Sequence, residues 1–155
     1  MNTIARDTLE LPGSDALEEL TRADLVFYGV DHSGPSYEGR VFLGNPDAAA
    51  ETPRDAEHGY AGAFTVFGHA GCYGDEGHCL PDQRYTDAFD RRLPHPLRPL
   101  TRTVIATEAV RRAIADPGVS EVLVVVVAVM PEDELTAGHD EPLRYDSVRL
   151  LTYEG

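Results

Sequence analysis

Most hydrophobic segments of this chain repeat with a period of two, the spacing that puts alternate side chains on one face of a strand. Residues 25–30 and 39–43 are rich in β-branched and aromatic side chains, and residues 60–67 form a third such segment. In the third, Tyr60, Gly62, Phe64 and Val66 are expected on one face, and Ala61, Ala63, Thr65 and Phe67 on the other. Residues 100–105 and 147–153 add two more strands. Residues 121–130 differ, because their valines run on without polar interruption. That pattern predicts a central strand buried on both faces. A helical period occurs after Thr107, a candidate cap, where Val110, Ala113 and Ile114 share a face before Asp116, Pro117 and Gly118 stop the helix. A short helix is also expected over 15–20.

About six strands and one short helix predict an all-β fold, a β-sandwich of jelly-roll or immunoglobulin-like type. Residues 1–22 show no strand pattern and are expected to be an N-terminal extension, with 23–155 forming the single sandwich domain. The total of 155 residues suits one domain and is enough for a core that needs no metal or disulfide to fold.

One stretch resists this reading. Residues 68–99 carry Gly68, Gly71, Gly74 and Gly77, then Pro81, Pro94, Pro96 and Pro99. A Gly/Pro-rich loop of this length is uncommon inside a compact domain and usually serves a function. It holds both cysteines, Cys72 and Cys79, together with His69, His78 and His95.

Charge narrows the partners. The chain has 27 acidic and 13 basic residues, a net charge of -14, and every basic residue is Arg. With no basic footprint, neither nucleic acid nor an anionic membrane surface is an expected partner, though an Arg-bearing protein face is compatible. The first residues show no apolar signal segment, and the apolar run at 122–130 is too short to span a bilayer. The expected location is cytoplasmic, with export open only to a form bound to a secreted partner. In such a compartment, cysteines serve more often as free thiols, ligands or redox centres than as structural bridges.

The candidate chemistry therefore centres on His69, Cys72, His78 and Cys79. Thiolate and imidazole are the donors that Cu(I) and Zn(II) prefer, and a Gly-rich loop can fold around an ion. The spacing matches no standard zinc finger, and adjacent His78 and Cys79 point different ways on extended backbone. A Cys72–Cys79 bridge or two unrelated thiols remain open alternatives. His32, His58, His95 and His139 are expected to be solvated or strand-end residues, with His32 and His58 as auxiliary ligands at most. No GxSxG, P-loop, GxGxxG or HExxH motif occurs.

The order of the pieces also carries a resemblance. Residues 39–47, running from Gly39 through Val41, Phe42 and Asn45 to Asp47, are followed by 60–69, from Tyr60 through Phe64 and Phe67 to His69. A helix start at 106–110, a Val-rich strand at 124–131 and a closing strand at 148–153 come next. Together, over roughly residues 25–153, they resemble the C-terminal domain of plant-type polyphenol oxidases and related tyrosinases. The resemblance implies a β-sandwich that lies over a type-3 dicopper centre and keeps a latent enzyme closed. The catalytic part has no counterpart here, since the chain contains no HxxxH pair. The resemblance thus implies a non-catalytic accessory protein of a tyrosinase-like copper oxidase, acting as copper chaperone or detachable lid. Phe64 and Phe67 become candidate partner-facing residues. Cu(I), with Zn(II) as the alternative ion, is expected on Cys72, Cys79 and His78, with His69 as a further donor. A small stand-alone metal-dependent β-sandwich enzyme and a metal-free interaction module are the competing readings.

Overall fold

The computed structural model describes residues 3–69, 97–131 and 142–155, together with Phe89. Among the described residues seven strands form in this order: β1 (Ile4–Glu10), β2 (Leu20–Val30), β3 (Tyr37–Leu43), β4 (Tyr60–Val66), β5 (Leu100–Ile105), β6 (Glu121–Val129) and β7 (Ser147–Glu154). One α-helix, α1 (Thr107–Ile114), lies between β5 and β6. The strands build a four-stranded sheet in the order β1-β6-β3-β4 and a three-stranded sheet in the order β5-β2-β7. All pairings are antiparallel. The fold is an all-β sandwich, with one short α-helix among the described residues. No helix among the described residues is long and apolar enough to cross a membrane.

The Val-rich segment takes the interior position the sequence predicts. Val122, Val124, Val126 and Ala128 of β6 face the core between the sheets, with Phe27, Val41, Phe64 and Val104. Val125 and Val127 point the other way, against Phe42 and Ala48. Each fully buried Val contributes roughly 1.5–3 kcal/mol through apolar area removed from water. The second face is covered because residues 45–59 fold back over it. The Asn45 side chain donates to the His58 carbonyl at 2.8 Å, and Arg40 donates to the Ala50 carbonyl at 2.6 Å.

The N-terminal segment departs from the expectation of an extension over 1–22. Residues 4–10 form β1, paired with β6 from Ile4 opposite Val127 to Glu10 opposite Glu121. Arg6, Asp7 and Thr8 interrupt the apolar pattern. This edge strand is held by β6 rather than by its own hydrophobicity. The helix expected over 15–20 is a 3-10 turn at Ser14–Leu17, and Leu20 already belongs to β2.

The alternation expected in β4 also breaks. A bulge places Gly62 opposite Val41 but Tyr60 opposite Phe42, so Tyr60 packs outward with Phe42 while Ala61 packs inward. Gly62 has φ +142, and a Cβ there would meet Val104 Cγ1 at 2.5 Å. The absent side chain lets β4 approach β5, and Arg102 closes that edge by donating to the Thr65 carbonyl at 2.9 Å. Thr107 does not act as the predicted cap. Ala106 occupies that position, and the Thr107 hydroxyl instead accepts the Ala23 N–H at 3.1 Å, tying α1 to β2.

Candidate functional site

Strands β2 and β4 belong to different sheets, yet the segments that leave them meet. Beyond β2 come Asp31, His32 and Ser33; beyond β4 come Phe67, Gly68 and His69. The His32 carbonyl accepts the His69 backbone N–H at 3.0 Å and the His69 Nδ1 at 3.2 Å. The two imidazoles meet edge to face with centroids 4.9 Å apart. On its other side, His32 Nε2 donates to the Arg98 carbonyl at 2.9 Å. Both hydrogen bonds to carbonyls assign the proton to the named ring nitrogen. His32 therefore ties His69 to Arg98, described residues on either side of the stretch 70–96. Gly68 completes the fastening: its N–H donates to the Ser36 hydroxyl at 3.0 Å, and a Cβ would strike the backbone of Gly34 and Pro35 at 2.2–2.3 Å.

Asp31 fixes the turn that presents His32. Its carboxylate accepts the Ser33 N–H at 2.8 Å, the Ser33 hydroxyl at 2.7 Å and the Arg144 guanidinium at 2.9 Å. Burial alone would raise its pKa, but these donors outweigh it and hold the carboxyl below the usual value. Next to this turn opens a cleft of about 760 Å3, whose lining among the described residues includes Arg6, Asp7, Asp31, Arg144, Tyr145 and Asp146. Within it the Tyr145 hydroxyl donates to Asp7 of β1, and burial together with that carboxylate pushes the phenol pKa up.

The two aromatics expected to face a partner go to opposite environments. Phe64 is 5% exposed and sits inside the sandwich, 4.9 Å from Phe27 and 6.3 Å from Tyr37 by ring centroids. Its ring covers Gly39, its register partner, where a Cβ would lie 2.5 Å from the ring. Phe64 is thus a core residue. Phe67 is 78% exposed and lies edge-on to His69 at 6.0 Å. Of these two aromatics, Phe67 is the one that a partner can touch.

Of the expected metal ligands, His69 is described, while Cys72, His78 and Cys79 lie outside the described residues, as do His95 and His139. Among the described residues no group of three or more His, Cys, Asp or Glu side chains is arranged to hold a metal ion. His69 has His32 beside it, but the His32 ring is committed to Arg98. His58 contacts Asp55 at 2.7 Å, and this bond lowers the carboxylate's pKa. The described residues alone do not fit a copper centre. The sequence gives no sign of the His32 clasp, since it depends largely on a main-chain carbonyl whose direction no side-chain pattern encodes.

No protein-family model matches the chain, and no curated protein matches it. Solved structures do. A recombinantly expressed latent aurone synthase, a polyphenol oxidase, matches 99% of this chain with a TM-score of 0.55 at 16% identity. Latent aurone synthase from its natural source matches 99% with a TM-score of 0.54 at 15% identity. The chain spans 25% of the length of each of those structures. At such identities the likeness is one of fold, and the resemblance drawn from residues 25–153 holds at that level: this sandwich has the fold of one quarter of a polyphenol oxidase.

Proposed function

We propose that this chain is a non-catalytic accessory partner of a tyrosinase-like type-3 copper oxidase, serving as a detachable lid over its catalytic portion. The observation that carries the reading is the asymmetry of coverage. The match takes in 99% of this chain and 25% of a latent polyphenol oxidase, so these 155 residues correspond in fold to the sandwich portion of such an enzyme. Phe67, beside the His32–His69 fastening, is an exposed aromatic suited to contact with a partner.

Copper delivery is the second half of the reading. Cys72, Cys79 and His78, with His69 as a further donor, would hold Cu(I), for which thiolate and imidazole are apt ligands. This half rests on the sequence of residues 68–99, His69 among them. When bound there, the ion would be cargo for the oxidase rather than a reaction centre of this chain. The chain's own part is to tie His69 to Arg98 through His32 and to present the donors to the partner.

The test is co-expression with a type-3 copper oxidase of the source organism that has no sandwich of its own. Oxidase made with this chain is expected to carry more copper and to stay inactive until the chain is removed. Equal copper content and equal activity with and without the chain would defeat the proposal.

A further inference from the structure

The two sheets do not finish their outer faces alike. That of β1-β6-β3-β4 is covered by residues 45–59, while that of β5-β2-β7 displays large apolar side chains. Ile105 is 62% exposed, Leu151 39% and Tyr153 46%. The register sets them side by side, because Ile105 and Leu151 both pair with Asp24 of the middle strand and Tyr153 pairs with the neighbouring Arg22. Asp24, only 3% exposed, lies in the row between the two aliphatics and accepts Arg22 Nε at 2.8 Å.

The charge of this face runs against that of the chain. In a molecule of net charge -14, its outward positions carry Arg22 and Arg149 against the single carboxylate of Asp24. Both guanidiniums are spread over tyrosine rings, Arg22 at 5.7 Å from the Tyr153 centroid and Arg149 at 5.8 Å from that of Tyr28. The result is an aliphatic centre flanked by two flat Arg–Tyr platforms, the residue types that dominate interface hot spots. We infer that the outer face of β5-β2-β7 is the docking surface for the oxidase partner, whose matching patch has an apolar centre rimmed by carboxylates. This rests on the accessory reading above and specifies where the partner sits. Charge complementarity selects that occupant over a second copy, since two copies would oppose the same arginines while each carries -14. The face covers roughly 400 Å2 by strand spacing and rise, about half of one partner's share of a standard interface. That size suits a contact that forms and releases.

The experiment measures affinity between the full chain and a purified type-3 copper oxidase of the source organism that lacks its own sandwich. Ile105→Asp and Leu151→Asp are expected to weaken binding roughly tenfold or more each, and Arg149→Glu to weaken it with a reduced salt dependence. All three positions are exposed, so unchanged circular dichroism and melting temperature establish that the variants fold. Val119→Asp, at an exposed position away from this sheet, is expected to bind like the wild type. If the wild type binds and the three variants bind equally well, the face is wrong and the accessory reading survives. Absence of wild-type binding overturns both. A homodimer of this chain that Leu151→Asp dissociates would overturn the choice of occupant.

Discussion

The His32 carbonyl accepts two hydrogen bonds from His69, from the backbone N–H at 3.0 Å and from ring Nδ1 at 3.2 Å. With its own ring donating to the Arg98 carbonyl at 2.9 Å, this one residue links two positions 29 apart in the chain, His69 and Arg98. Replacing the ring leaves the carbonyl in place but removes the Arg98 bond and the imidazole contact. His32→Ala is therefore expected to cost about 0.5–1.5 kcal/mol in urea denaturation. Amide exchange at His69 should accelerate while that of β6 stays protected. Unchanged exchange at His69 would show that the clasp carries no weight.

The legibility of this chain follows from where its information resides. Strand β6 was readable because Val122 to Val127 are apolar on both faces, and β3, β5, β7 and α1 were readable from their periods. Strand β1 was not, because Arg6, Asp7 and Thr8 conceal an edge strand that β6 stabilises. The bulge at Gly62 reversed the expected sides of Tyr60 and Ala61, since one inserted residue shifts a period of two. The same rule of alternation places Phe64 in the core and Phe67 at the surface, but it does not say which face is the core. The His32 clasp lay out of reach for a simpler reason: main-chain carbonyls leave no mark on composition.

Phe64 and Phe67 separate packing from recognition. Phe64→Ala empties a site between Phe27, Tyr37 and Gly39 and is expected to cost about 3–5 kcal/mol. Phe67→Ala, at an exposed position, is expected to change stability by no more than about 0.5 kcal/mol. A comparable loss at both positions in equilibrium unfolding would contradict this assignment.

Tyr37 predicts a gain from removing an atom. Its hydroxyl is buried with no hydrogen-bond partner among the described residues, and burial, then the Asp31 charge, pushes its pKa up. Tyr37→Phe is expected to be at least as stable as the wild type, because it removes a desolvated group without breaking a bond. Loss of more than about 1 kcal/mol would reveal a partner for the hydroxyl.

Stability should fall at both ends of the pH range. The folded Asp31 carboxyl lies below its ordinary value of 3.8, so its contribution is present above that value and is lost as pH falls through the folded pKa. Tyr37 and Tyr145 have folded pKa values above the ordinary 10.0, so above pH 10 the unfolded chain ionises while the folded phenols stay neutral, and stability falls as pH rises from there. Asp31→Asn should flatten the acid limb and Tyr145→Phe the alkaline limb. Denaturation followed across pH checks both, and a variant that keeps the wild-type profile would refute its assignment.

The cysteines distinguish cargo from staple. Changing Cys72 and Cys79 to Ser together is expected to abolish stoichiometric Cu(I) binding while leaving the melting temperature nearly unchanged, because the core is built elsewhere. A structural bridge would instead show a loss of about 2–3 kcal/mol. Competition with a Cu(I) chelator and a thermal melt on one double variant read both quantities.

The most direct test of the account is light scattering after size separation of this chain mixed with a sandwich-free type-3 copper oxidase from the source organism. A one-to-one complex in which the oxidase is silent is expected, with activity returning when the complex is taken apart. Two species that elute separately, with full oxidase activity throughout, would contradict it.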